Sequence, residues 1–222
     1  KMKKIQVLAV GTSTLAQLKL KNTDNIEFHI LIFSNIINID ELQSKLSKLY
    51  RTFDYGLIHS GNYLYPSKKN KLAPFLLTNS TDHIEELIKC MDVFCCKILI
   101  TQSHPRCLQM SDNLPTEFCF SFDTYHRFEL LRRHFVKKPS QESSEQFKQP
   151  EIVFVRFGDL VFDKKKSNSF SRYLHAMIFS RTYLSGDAVH LTSQGSNLVK
   201  NLLLRFVINN YQGSDKQQML QW

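Results

Sequence analysis

The chain has 222 residues, 42% of them hydrophobic and 12% aromatic, which is enough apolar material for one sizeable buried core and excludes a disordered tail. Its net charge of +9 favours contact with polyanions such as nucleic acid or anionic membrane surfaces, or, in the plainer reading, serves solubility. No apolar run approaches the ~20 residues of a membrane-spanning helix, so no such helix is expected.

In chain order, "KIQVLAV" (4–10) reads as a buried strand ending at Gly11. The segment "KMKKIQVLAV" has the basic start of a signal peptide, but its apolar run is too short and no small-residue cleavage site comes after it. "IEFHILIF" (26–33) is a second strand. "IDELQSKLSKLY" (39–50) is an amphipathic helix, with Asp40 placed to cap it and Leu42, Leu46 and Leu49 on one face. "DYGLIHSG" (54–61) is a third strand, and "TDHIEELIKCMDVF" (81–94) a helix capped by Thr81 or Asp82. "CKILITQ" (96–102) is a fourth strand, and Pro105 interrupts regular structure just beyond it. "FDTYHRFELLRRHFVKK" (122–138) is another helix, "EIVFVRFGDLVF" (151–162) the fifth strand, and "SQGSNLVKNLLLRFVINNY" (193–211) the last helix.

Strands alternating with helices imply βαβ crossovers, hence a parallel sheet covered on both faces: a three-layer α/β/α sandwich in one domain, residues 1–222. The polar stretch "KKPSQESSEQFKQP" (137–150) is expected to be a mobile surface loop. The five cysteines, Cys90, Cys95, Cys96, Cys107 and Cys119, are odd in number and lack zinc-ligand spacing. Reduced thiols fit an intracellular, cytoplasmic protein, with Cys95 and Cys96 as core residues and no metal site. The start at Lys1 rather than Met fits one part of a longer protein.

In a parallel sheet, function gathers at the carboxyl ends of the strands. There the chain places "GTST" (11–14), "SNIIN" (34–38), "SGNY" (60–63) and, before the last helix, "GDAVHL" (186–191). In order and spacing over nearly the whole chain, this set resembles the SGNH hydrolases, the GDSL esterase and lipase superfamily. The resemblance implies an α/β/α fold and ester hydrolysis without a cofactor. It makes Ser13 the nucleophile, His190 its general base and Asp187 the group that orients the imidazole. Asn62, with Gly61 and Asn35, becomes the source of oxyanion donors. A serine hydroxyl is a weak nucleophile until a positioned base activates it, and a third group must hold that base. A preorganised oxyanion donor is worth ~3–4 kcal/mol.

The sequence departs from the family pattern at three places. Gly-Asp-Ser reads Gly11-Thr12-Ser13, the Ser34–Asn38 block has no glycine, and Gly-x-Asn-Asp reads Ser60-Gly61-Asn62-Tyr63. Each residue also has a structural reading. Ser13 could cap a following helix, Asp187 and His190 could form a capping loop, Asn62 could be a turn residue, and His59 reads as a satisfied core histidine. A small acyl ester is the partner if the site is active.

If it is silent, the same fold is a binding module, with RNA as the natural polyanion. The basic residues for that role are Arg127, Arg132, Arg133, Lys137, Lys138, Lys164, Lys165, Lys166 and Arg172. Lys68, Lys69 and Lys71 add to them, and Tyr125, Phe170 and Tyr173 are placed to stack on bases or to fill the core.

Overall fold

The computed structural model describes residues 3–34, 37–59, 80–101, 132–135, 151–155 and 190–211, with the backbone alone for 80–82. Five strands form one parallel sheet: β1 (Ile5–Gly11), β2 (Ile26–Ile32), β3 (Phe53–His59), β4 (Cys95–Thr101) and β5 (Glu151–Val155). Their spatial order is β2-β1-β3-β4-β5, and every pairing is parallel. The helices are α1 (Ser13–Gln17), α2 (Ile39–Leu46), α3 (Ser80–Asp92) and α4 (Ser193–Asn210), with a helical turn at 132–135.

Strand side chains alternate between two cores, as a strand with both faces covered requires. On one face Ile5, Val7 and Ala9 of β1, Tyr55 and Leu57 of β3 and Leu99 of β4 meet Leu15 and Leu18 of the α1 segment. Val199, Leu203 and Val207, at four-residue intervals along α4, complete that cluster. On the other face Leu8, Val10, Ile58, Ile98 and Ile100 meet Leu42 and Leu46 of α2 and Ile84, Leu87, Ile88 and Met91 of α3. The α/β/α layering expected from the sequence is therefore present.

Several local expectations need correcting. Asn38, not Asp40, caps α2: its Oδ1 accepts from the Glu41 amide at 2.9 Å, and Asp40 lies in the first turn. The helix stops at Leu46 although Leu49 continues the apolar period: beyond the C-cap Ser47 the backbone tightens to i→i−3 bonds, Lys48 N to the Lys45 carbonyl at 3.4 Å and Leu49 N to the Leu46 carbonyl at 2.8 Å. Thr81 and Asp82 are already inside α3 and cannot cap it. Cys95 is buried but Cys96 is exposed, since neighbouring strand residues point to opposite faces and Cys96 sits at the start of β4. Of the helix expected over 122–138, only the turn 132–135 is described. It is anchored to α3 by His134, 2.8 Å from Glu85 Oε1, and by Phe135, which packs into the second core. The loop 137–150 and the second half of the expected fifth strand, 156–162, lie outside the described residues.

Candidate active site

The carboxyl ends of β1, β2 and β3 are level. Gly11 stands opposite Ile32 on one side and His59 on the other. The first crossover runs from β1 out to β2, and the next strand in sequence, β3, pairs on the other side of β1. The edge beyond Gly11 is therefore the point at which the strand order reverses, where parallel α/β sheets bind ligands. Ser13 lies two residues past Gly11. The loops that carry Asn35 and that carry Gly61 and Asn62 leave the strands on either side, but those three residues lie outside the described residues, as does Asp187.

Gly11 is required at this edge. A Cβ there would lie 2.0 Å from the His59 carbonyl oxygen and 2.7 Å from Leu15 Cβ. The main chain of β3 and the first turn of α1 close on the same point, and only a residue without a side chain fits. Among the described residues, the Thr12 and Thr14 hydroxyls on either side of Ser13 are buried without a hydrogen-bond partner.

Ser13 does not cap α1. The cap position is held by Thr12, whose carbonyl accepts from Leu15 N at 2.9 Å and Ala16 N at 3.1 Å, and Ser13 is the first residue of the helix, half-buried. Nor does His190 cap α4. That role belongs to Thr192, whose Oγ1 accepts from Gly195 N at 3.2 Å. The cap positions thus belong to Thr12 and Thr192, and Ser13 and His190 are both half-buried.

The contact that joins the two ends of the chain is one the sequence did not point to. The amide of Leu191 donates to Gln17 Oε1 at 3.1 Å, across 174 positions. Leu191 is buried in the same cluster as Leu15 and Leu18. Gln17 comes four residues after Ser13, so both lie on one side of α1. The His190 segment is thus laid along the helix that begins with the candidate nucleophile. The only signal in the sequence is a glutamine at helical spacing from Ser13 in "STLAQL" (13–18), which has no meaning until a partner is known.

Beneath this edge lies His59, the core histidine expected from the sequence, only 2% exposed. It continues the alternation of Tyr55 and Leu57 and so lies on the α1 and α4 side of the sheet. The Thr101 hydroxyl donates to the Ile58 carbonyl at 3.1 Å, so it accepts from His59 Nδ1–H, 2.7 Å away. A hydroxyl has one proton to give, and this fixes the imidazole tautomer. Burial pushes the His59 pKa down to about 4, which keeps the ring neutral.

Of the basic residues, Arg133 is exposed and Arg132 half-buried on the turn that His134 and Phe135 anchor. Arg127, Lys137, Lys138, Lys164, Lys165, Lys166 and Arg172 lie outside the described residues. Among the described residues no helix is long and apolar enough to cross a membrane.

No family model matches the sequence, and no curated protein matches it. Solved structures do. A GDSL-like lipase from Bacteroides thetaiotaomicron is 13% identical with a TM-score of 0.51, over 93% of this chain and 89% of that one. A catalytic mutant of an acetylxylan esterase from Geobacillus stearothermophilus is 10% identical with a TM-score of 0.50, over 90% and 93%. A protein from Streptococcus pneumonia, provisionally named a platelet activating factor, is 14% identical with a TM-score of 0.53, over 92% and 85%. The fold is that of the GDSL-like, or SGNH, hydrolases, as the sequence motifs implied.

Proposed function

We propose that the chain is a single SGNH-type domain that hydrolyses small acyl esters through Ser13, His190 and Asp187. The observation that carries this reading is the hydrogen bond from Leu191 to Gln17, which seats the His190 segment against the helix headed by Ser13, at the reversal point of the sheet. That the similar folds include a GDSL-like lipase and an acetylxylan esterase supports an ester as the substrate class.

In this reading His190 takes the Ser13 proton as Oγ attacks the acyl carbonyl. Asp187 orients the imidazole and stabilises its charged form. Asn62, Gly61 and Asn35 supply donors to the oxyanion, each worth ~3–4 kcal/mol if preorganised. Collapse of the tetrahedral intermediate breaks the ester C–O bond, and the leaving alkoxide collects the proton from His190. Water then attacks the acyl-enzyme, His190 removes its proton, and the carboxylic acid departs with Ser13 regenerated.

The test is labelling with a fluorophosphonate, wild type beside Ser13→Ala, read by intact mass. One adduct that vanishes in the variant is the expected result. Folded wild-type protein that takes up no label refutes the esterase reading. The basic surface around Arg133, and RNA as its ligand, then becomes the hypothesis to test.

A further inference from the structure

Ser13 and His190 come from opposite ends of the chain, and a nucleophile–base pair works only within hydrogen-bond reach. Something must hold the two segments in register to within a fraction of an ångström, because a displacement of about 1 Å can cost on the order of 100-fold in rate. Two observations identify what does so here. Leu191, next to His190, is 7% exposed and wedged among the apolar residues under α1 and α4. Its amide, which would be costly to bury unsatisfied, donates to the side chain of Gln17 at 3.1 Å. Apolar packing is non-directional and sets depth. The bond to Gln17 is directional and ties the segment to α1 one helical turn from Ser13.

We infer that Gln17 is a positioning residue for the reaction: its Oε1 clamps the backbone beside His190 to α1 and so sets the Ser13–His190 geometry. This rests on the Ser13–His190 reading above. Gln17 touches neither substrate nor reacting atom in this scheme. What matters is an acceptor at the end of a side chain of this length, so glutamate should serve and a shape-matched apolar residue should not.

The experiment compares wild type, Q17M, Q17E and Q17A in fluorophosphonate labelling and in hydrolysis of p-nitrophenyl acetate, with hydrogen exchange at the Leu191 amide. Q17M keeps the side-chain length and removes the acceptor. Its labelling rate and kcat should fall ten-fold or more with KM little changed, and the Leu191 amide should exchange faster. Q17E should restore both rates to within about three-fold of wild type and slow that exchange again. Should Q17M fail to fold, Q17A removes the same acceptor with less volume and must show the same loss of kcat. A Q17M or Q17A enzyme as active as wild type overturns the inference, as does Q17E falling as far as Q17M. Wild type that takes no label is a different result. It removes the esterase reading itself and this role with it, whereas labelled wild type with indifferent Gln17 variants removes only the clamp.

Discussion

Gly11→Ala is the substitution whose consequence the structure defines most closely. An added Cβ would sit 2.0 Å from the His59 carbonyl oxygen, 2.7 Å from Leu15 Cβ and 2.9 Å from Leu15 Cδ2. Ordinary contact distance lies near 3.5 Å, so β1 and β3 would have to part by about 1 Å or more at this level. Two of the three clashing atoms, a carbonyl oxygen and a Cβ, cannot rotate away. Parting the strands forfeits one or two ladder hydrogen bonds at about 1 kcal/mol each. Overpacking adds roughly 1–3 kcal/mol. A loss of about 3–4 kcal/mol is expected, a large share of the ~5–15 kcal/mol that holds a typical domain together. Gly56→Ala supplies the internal comparison. Its Cβ would meet Met91 Cε at 2.8 Å and Cys95 Sγ at 2.9 Å, and the first of these is the end of a flexible side chain. That variant should lose about 1 kcal/mol or less. Urea unfolding followed by far-UV circular dichroism, with linear extrapolation, measures both. Gly11→Ala within 1 kcal/mol of wild type, or Gly56→Ala the more damaging of the two, would refute the reasoning. Because Leu15 must yield, a folded Gly11→Ala protein should also label poorly at Ser13.

Acid should weaken the fold through His59. Its ring is neutral when folded, with the pKa pushed down to about 4 by burial, while the unfolded chain takes up a proton near the ordinary value of 6.5. The unfolded state therefore binds more protons between these values. The contribution is complete above about pH 6.5 and is lost as the pH falls toward 4, by about 3 kcal/mol in total. His59→Gln should flatten the dependence of unfolding free energy on pH between 4 and 6.5, and an unchanged slope would contradict the assignment. The cysteines of β4 should differ sharply toward iodoacetamide: Cys96 is exposed, whereas burial pushes the Cys95 thiol up to about 12. Peptide mapping should find Cys96 alkylated in the native protein and Cys95 only after unfolding; equal rates would show that β4 is not seated as described.

The layered fold was legible in the sequence because its signals are local and redundant. Short apolar runs such as "IQVLAV" (5–10), ended by a glycine, fit a strand covered on both faces, and the stripe Val199, Leu203, Val207 fits a helix against a core. The candidate nucleophile and base were legible only through the resemblance to the SGNH hydrolases, which rests on four loop motifs in order and not on the neighbours of Ser13 or His190 alone. Cap identity was less accessible. Asn38 and Asp40 are both good caps two residues apart, and the choice depends on where the backbone turns. The burial of Cys95 but not Cys96 depends on strand register, which a pair of adjacent apolar residues does not encode.

The residues by themselves determined the alternation of strands and helices and the two-faced strands, because each arises from chemistry within a few neighbouring positions. The short helix α1 between β1 and β2 was not legible, and Ser13 and His190 became candidates through the family resemblance. Only the tertiary structure decided the strand order β2-β1-β3-β4-β5, the closure of Gly11 on His59, and the bond from Leu191 to Gln17. These are contacts between distant segments, selected by how whole faces pack, and no local pattern at Gly11 or Gln17 carries the identity of the group that will arrive there.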